Sequence, residues 1–166
     1  MNKKTLILIS AFMLMITAGC NAKEQELKCN KTTEDSSGFK IEEIYSYQFS
    51  GNDIKEFEVT TISTPIKEEL EEFLNVFSTT IDDSFKELKD KTGITYTSTI
   101  KNGSHNLNIK VDYDKIKLKE FNNVSEGISD IINKDKKKIS LNETKKEMEK
   151  SDYNCIVKWH TKKIFP

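Results

Sequence analysis

The chain has 166 residues, which suits one compact domain preceded by a short leader rather than two domains. Charged residues make up 32% of the chain and hydrophobic residues 36%, and the formal net charge is −1 because Lys nearly balances Asp and Glu. This balance argues against a nucleic-acid binder, which needs a strongly basic face, and the lack of any Arg disfavours bidentate phosphate or carboxylate recognition.

The first nineteen residues have the pattern of an export signal. Lys3 and Lys4 give a positive start, and an apolar run from Leu6 to Ile16 follows. This run is shorter than the roughly 20 apolar residues that a permanent membrane-spanning helix needs, so the sequence predicts a segment that is removed. It ends in three small residues directly before Cys20, namely Thr17, Ala18 and Gly19.

The junction at Cys20 resembles the cleavage box of bacterial lipoproteins, in which a small or aliphatic tripeptide ending in Gly or Ala precedes an obligatory Cys. Ala18 and Gly19 match this box, whereas Thr17 stands where Leu is usual. The resemblance implies cleavage between Gly19 and Cys20, a diacylglycerol group on the Cys20 sulfur and, often, an acyl chain such as palmitate on the new amine. Several acyl chains hold a protein firmly on a bilayer. An ordinary secretory peptide or an uncleaved helix is the alternative.

The domain boundaries follow from this interpretation. We expect residues 1–19 to be a lipoprotein signal peptide and residues 20–28 a lipidated tether, whose Lys, Glu and Gln suit a solvated linker. One domain over residues 29–159 and a basic tail over residues 160–166 complete the chain. The expected location is the outer, extracytoplasmic face of the cell membrane.

Two further cysteines, Cys29 and Cys155, lie near the two ends of the expected domain. An exported chain meets conditions in which thiols pair, and two cysteines allow only one connectivity, so we predict a disulfide bond. Two unpaired thiols are the alternative. A metal site is disfavoured because His105 and His160 show no ligand spacing with either cysteine.

An alternating pattern after Gly38 predicts the first β-hairpin. Apolar and polar residues alternate from Phe39 to Phe49, with Glu43 interrupting the apolar positions, and a turn-forming cluster spans residues 50–53. A second strand follows from Phe57 to Ile62.

The period then changes to that of a helix. Apolar residues recur at intervals of three and four from Ile66 to Leu88, with Thr64 as the cap, Pro65 in the first helical position and Gly93 just beyond the end. This pattern predicts one long amphipathic helix.

A second hairpin and a second helix follow. Alternation from Ile94 to Tyr113 is broken by the turn pair Asn102–Gly103. Three later elements are predicted: a short helical piece over residues 124–132, a helix opened by a Ser140 and Glu143 capping box and running through Met148, and a last short strand over residues 153–159 that carries Cys155.

The elements in order form a ββαββα chain and an α+β fold. We expect an antiparallel sheet of four to five strands, built from two hairpins and packed on one face by the long helix and the shorter C-terminal helix. The other face carries Lys, Glu and Asn and is expected to be solvated.

The arrangement resembles small exported lipoproteins of the YehR-like family, which has no assigned activity. Four features carry the resemblance: the lipoprotein box, the Leu-Lys-Cys tripeptide at residues 27–29 where the domain begins, the two hairpins around a helix, and the closing segment Asp152, Tyr153, Asn154 and Cys155. It implies a cell-surface α+β domain with a bridge between Cys29 and Cys155, and it brings no catalytic residues.

The sequence contains few candidates for catalytic or ligand-binding residues. We predict no catalytic residue, no metal and no cofactor, because no phosphate loop, nucleophile elbow or zinc-binding helix motif is present. His105 is expected to be an exposed residue beside the hairpin turn, Asp82 to face water, and Asp112 with Asp114 to form a solvated sheet edge or a helix cap.

These observations lead to a functional expectation. We predict a non-enzymatic binding module that contacts the membrane through Cys20 and has an envelope protein or an anionic polymer as a partner, but no nucleic acid. The lysine run at residues 134–138, with Lys162 and Lys163, is the densest positive patch. The alternative is a small-ligand carrier or an envelope enzyme with a pocket between sheet and helix, for which Glu43 is the candidate polar group.

Overall fold

The computed structural model describes residues 24–117 and 140–160, with only the backbone of His160. The predicted signal peptide with Gly19 and Cys20, the helical piece over residues 124–132 and the residues after His160 lie outside the described part. The described elements, in chain order, are β1 (Glu24–Glu34), β2 (Phe39–Ser50), β3 (Asp53–Pro65), α1 (Leu74–Phe85), β4 (Ile94–Lys101), β5 (Ser104–Asp112), α2 (Leu141–Lys150) and β6 (Asn154–His160).

All six strands form one antiparallel sheet in the order β4-β5-β3-β2-β1-β6. The α+β class and the antiparallel sheet are confirmed, but the sheet has six strands rather than four or five. The strand missed in the sequence is β1, which begins at Glu24 inside the segment expected to be a tether. Between Glu24 and Glu34 only Leu27 and Cys29 are apolar, so the alternation is weak. The strand is nevertheless held because it pairs with a neighbour on each side.

The register divides the sheet into two different faces. On one face the side chains of all six strands form the core with the helices, and its fully buried members include Leu27, Phe49, Ile54, Phe57, Ile109 and Val111. Both helices lie on this helix-bearing face, since Ile81 and Phe85 of α1 and Met148 of α2 pack against the same core. The opposite, polar face carries side chains such as Thr60, Thr97 and Asn108, and neither described helix packs on it.

The first helix is shorter than the sequence pattern predicts. Pro65 still pairs with Phe39 at the end of β3, and the Ile66 N–H donates to the Gly38 carbonyl at 2.9 Å. The chain then forms a 3-10 helix over Glu68–Phe73 before α1 begins, and another over Lys86–Leu88 after it ends. The apolar residues predicted to lie on one long α-helix are thus distributed over three successive helical segments.

Two local predictions, the hairpin turn at Asn102–Gly103 and the capping box at Ser140, are confirmed. Asn102 and Gly103 both have positive φ, 52° and 71°, as a two-residue hairpin turn requires. The helix α2 opens with a reciprocal capping box, in which the Glu143 N–H donates to Ser140 Oγ and the Ser140 N–H donates to Glu143 Oε2.

A disulfide joins Cys29 of β1 to Cys155 of β6, across 126 residues of sequence. The two residues are directly opposite each other in the register, with Cα atoms 4.1 Å apart, and both are buried. Of the two alternatives that the sequence leaves open, the structure therefore contains the bridge. It fastens the C-terminal edge strand to the first strand.

Candidate functional site

The most connected polar group on the helix-bearing face is the His105 cluster, formed by Asp82 of α1, Lys89, Tyr96 and Ser98 of β4, and His105 of β5. The His105 side chain is 1% exposed, so the expectation of an exposed histidine is wrong. Its ring lies edge-on to Phe77, with centroids 5.6 Å apart. The helix α1 therefore covers the histidine.

Hydrogen bonds link the cluster from the helix to the buried ring. The Tyr96 hydroxyl donates to Asp82 Oδ1 at 2.6 Å, and Lys89 Nζ donates to Asp82 Oδ2 at 2.9 Å. Ser98 Oγ lies 2.9 Å from His105 Nε2. Asp82 is thus half-buried and fully engaged, rather than simply facing water as expected.

The surroundings shift the pKa of each titratable member. Hydrogen bonds from Tyr96, Lys89 and Ser98 stabilise the carboxylate and hold the pKa of Asp82 at about 2. Burial, together with the hydrogen bond to Asp82, raises the pKa of Tyr96 to about 12. Burial also lowers the pKa of His105, so its ring is neutral at pH 7.

Burial limits what this cluster can do. Ser98 Oγ and His105 Nε2 are within hydrogen-bond distance, and which of the two donates depends on the histidine tautomer. The His105 ring is 1% exposed and lies against Phe77 of α1, so a substrate cannot reach the ring while the helix is in place. We therefore interpret the His105 cluster as a connection between α1 and the β4–β5 hairpin.

A signal for the buried histidine was present in the sequence. His105 has the same parity as Leu107, Ile109 and Val111 along β5, so strand alternation alone places it on the core face. The two-residue turn at Asn102–Gly103 then sets the register. It pairs His105 with Ile100 and brings Ser98 to the diagonal position.

Glu43 belongs to a second polar group, the Glu43 cluster, with Lys31, Tyr45 and Tyr153. Glu43 does not simply point to solvent, since the Tyr153 hydroxyl donates to Glu43 Oε2 at 2.8 Å. Tyr45 packs edge-on against the Tyr153 ring at 5.3 Å, and Lys31 Nζ lies 5.4 Å from the centre of that ring. Burial, then the bond to Glu43, raises the pKa of Tyr153. The cluster fastens the start of β6 to the middle of the sheet.

One depression in the described surface, of about 320 Å³, lies at the end of the sheet near the β2–β3 turn, and its lining includes Glu56, Asp112 and Asp114. Each of these acids meets a lysine: Glu56 pairs with Lys110 at 2.8 Å, Asp112 with Lys115 at 2.7 Å and Asp114 with Lys55 at 3.2 Å. Asp112 and Asp114 are therefore ion-paired at a sheet end, close to the predicted solvated edge.

The strand β4 forms one edge of the sheet and is poorly protected against pairing. Its sequence, Ile94–Lys101, contains neither Pro nor Gly, and its one charged residue is Lys101 at the end. Within the described part of the chain it pairs with β5 on one side alone. Thr95, Thr97 and Thr99 are exposed on the polar face. The opposite edge strand, β6, differs in having Lys158 in its interior and a disulfide to its neighbour.

The other predicted site residues are not tested by the described residues. Gly19 and Cys20 lie before Glu24, and the lysine run at residues 134–138 also falls outside. Among residues 24–117 and 140–160 there is no group of three or more His, Cys, Asp or Glu arranged to hold a metal ion. No helix in these two ranges is both long enough and apolar enough to cross a bilayer.

Two solved structures share this fold. An NMR structure of a protein from Streptococcus pneumoniae TIGR4 aligns with a TM-score of 0.57 at 10% identity, over 80% of this chain and 85% of that chain. The NMR structure of the E. coli YehR protein aligns with a TM-score of 0.50 at 16% identity, over 82% of this chain and 96% of that chain. At these identities the likeness shows the fold alone, and it supports the YehR-like fold. No family model and no curated protein sequence matches the chain.

Proposed function

We propose that this chain is a lipoprotein held on the outer face of the cell membrane by a diacylglyceryl group on Cys20. Its body is a non-enzymatic module that binds an extended segment of another envelope protein along the β4 edge. The observation that carries the binding role is the eight-residue edge of β4, which has no Pro and no interior charge and which, among residues 24–117 and 140–160, is paired on one side alone.

The sequence before Glu24 and the disulfide support the proposed location on the outer face of the membrane. Stable structural disulfides are typical of proteins exported to oxidising surroundings, and here a buried bridge closes the body from its first strand to its last. The strand β1 begins four residues after Cys20, so the linking chain spans at most about 14 Å. A lipid on Cys20 would thus hold the β1 end of the body beside the membrane.

The binding role rests on how natural sheets treat their edges. Exposed edge strands are usually made short, bulged, charged in the middle or interrupted by Pro, because an open row of backbone groups recruits other strands. The Ile94–Lys101 edge has none of these devices in its interior. Such an edge suits β-augmentation, in which backbone hydrogen bonds provide affinity and alternate side chains provide specificity.

A second copy of the chain is a poor occupant of this edge. Two β4 strands pairing in the antiparallel sense of this sheet would point the β1 ends of the two copies in opposite directions. With twelve residues in β2, the sheet is about 40 Å long, well beyond the reach from Cys20 to Glu24. Two copies anchored in one membrane could not both satisfy this arrangement, so we assign the edge to a different protein.

Site-specific photocrosslinking on living cells tests the proposal. A photoreactive amino acid at Thr97 on the edge should give one discrete crosslinked product with another envelope protein, identified by mass spectrometry. The same amino acid at Asn30, which is exposed on the same polar face but is paired with a neighbouring strand on each side, should give none. The substitution Thr99→Lys should remove the product because a charge protects an edge, and Asn30→Lys should leave it.

Three results would contradict the proposal. A product with twice the mass of the chain would indicate self-pairing, and equal crosslinking from Thr97 and Asn30 would indicate that the edge is not selective. Cys20→Ala should abolish the incorporation of labelled fatty acid into the protein, so label that persists at the level of the unchanged chain would refute the lipid anchor.

A further inference from the structure

The start of β1 and the end of β6 lie side by side at one end of the sheet. In the register Glu24 is opposite His160, and Gln25 is opposite Trp159. The β2–β3 turn is at the same end, because Glu24 is also opposite Ser50. Any lipid on Cys20 would therefore be close to the end of β6.

Trp159 is a large aromatic residue at this end, and most of its surface is exposed. Its side chain is 63% exposed, although the alternate residues Cys155 and Val157 on the same face of β6 belong to or pack against the core. An indole ring combines an apolar body with an N–H donor, which is why Trp is enriched at membrane–water interfaces. The exposed part of this ring thus has the chemistry of a residue at a membrane interface.

The described charged residues at this end of the sheet are mostly acidic and include Glu24, Glu56 and Asp112. They weaken electrostatic attraction to an anionic leaflet, so the apolar contact of the indole ring has to provide the favourable contribution.

We propose that this end of the sheet, with Trp159 at its edge, rests on the bilayer that carries the lipid anchor, and that the Trp159 ring lies in the headgroup region. The inference rests on the proposed function, because the lipid on Cys20 supplies the proximity. With two contacts instead of one flexible link, the body stands with its strands pointing away from the membrane. The Asn102–Gly103 turn then lies at the distal end.

The chain contains a single Trp, so its fluorescence reports on Trp159 alone. The full chain is produced in a bacterium that processes lipoproteins, purified in detergent and reconstituted into equimolar phosphatidylcholine and phosphatidylglycerol vesicles. Emission is compared between vesicles with ordinary and with brominated acyl chains, which quench only indoles near the bilayer. We expect Trp159 emission to shift to the blue in vesicles and to lose most of its intensity with brominated lipid.

The matched control moves the indole to the other end of the sheet. Ile100 is 42% exposed and lies next to the β4–β5 turn, so Trp159→Phe combined with Ile100→Trp places the chain's one Trp far from the anchor. Its emission should be the same in both kinds of vesicle. Equal quenching at the two positions would overturn the proposed orientation.

Mass spectrometry of the same samples separates the two proposals. If Cys20 carries acyl chains and Trp159 is not quenched, the membrane contact is refuted while the anchor stands. If Cys20 carries none, both proposals fail. Acylated Cys20 with selective quenching of Trp159 supports both.

Discussion

Removal of the Cys29–Cys155 bridge should be the most damaging small change to this body. The bridge closes a loop of 126 residues, for which the chain-entropy relation gives about 5 kcal/mol of stabilisation at 25 °C. Domains of this size have free energies of unfolding of about 5 to 15 kcal/mol. The body without the bridge should therefore be marginally folded.

The assay is urea unfolding of the body starting at Asn21, which retains only these two cysteines. Reduction of the disulfide, or the double substitution Cys29→Ala with Cys155→Ala, should lower the free energy of unfolding by about 3 to 5 kcal/mol. The slope of the free energy against urea concentration should rise, because the unfolded chain without a crosslink exposes more surface.

Two comparisons make this prediction strict. The reductant should have no effect on the double Ala variant, which separates the bridge from general effects of the reagent. Reduction in place also avoids the cavity that truncation of the buried Cys29 creates. A loss below about 1 kcal/mol on reduction would refute the reasoning, since the loop length then would not govern stability.

Three further changes should give defined outcomes in equilibrium unfolding. Burial holds the pKa of His105 in the folded state below its unfolded value of 6.5. The free energy of unfolding should therefore be at its full value above pH 6.5 and should fall as the pH drops toward the folded pKa. His105→Gln should remove this pH dependence, and an unchanged pH profile would contradict the buried, neutral ring. At Gly93, φ is 81° and an added Cβ would lie 2.6 Å from the Ile116 nitrogen, whereas at Gly103 φ is 71° and the space is open. Gly93→Ala should therefore lower the free energy of unfolding clearly more than Gly103→Ala. Equal losses of stability would mean that backbone strain alone matters. Ser140→Ala removes the cap of α2 and should cost about 1 kcal/mol, and a neutral effect would show that the capping box is not needed there.

Much of the fold could be predicted because local rules and tertiary packing agree. The β2–β3 and β4–β5 hairpins show period-two alternation with turn residues at the right places, and the capping box at Ser140 has a sequence signature of its own. The disulfide was one of two open alternatives, and the register now explains it, because Cys29 and Cys155 face each other across β1 and β6.

The errors have physical causes. The strand β1 is mostly polar and is stabilised by backbone pairing on both sides, which no local pattern reveals. Apolar spacing of three and four cannot distinguish an α-helix from a 3-10 helix followed by an α-helix, so the pattern predicts too early a start for α1. The position of His105 next to a turn predicts an exposed side chain, whereas its parity with Leu107 along β5 indicates burial.

The candidate surfaces depended on strand order, which a single sequence does not specify. Only the sheet order reveals that β4 is an edge and that Trp159 lies beside the start of β1. The His105 and Glu43 clusters likewise join residues from separate elements, and their hydrogen bonds appear only once α1 and β6 have been placed.

The central claim is the lipid on Cys20, and the mass of the N-terminal peptide tests it most directly. Trypsin digestion of the membrane-purified protein should release a peptide over residues 20–23 whose mass includes a diacylglyceryl group on the Cys20 sulfur. A peptide that still begins at Met1, or a peptide with an unmodified Cys20 thiol, would contradict the account.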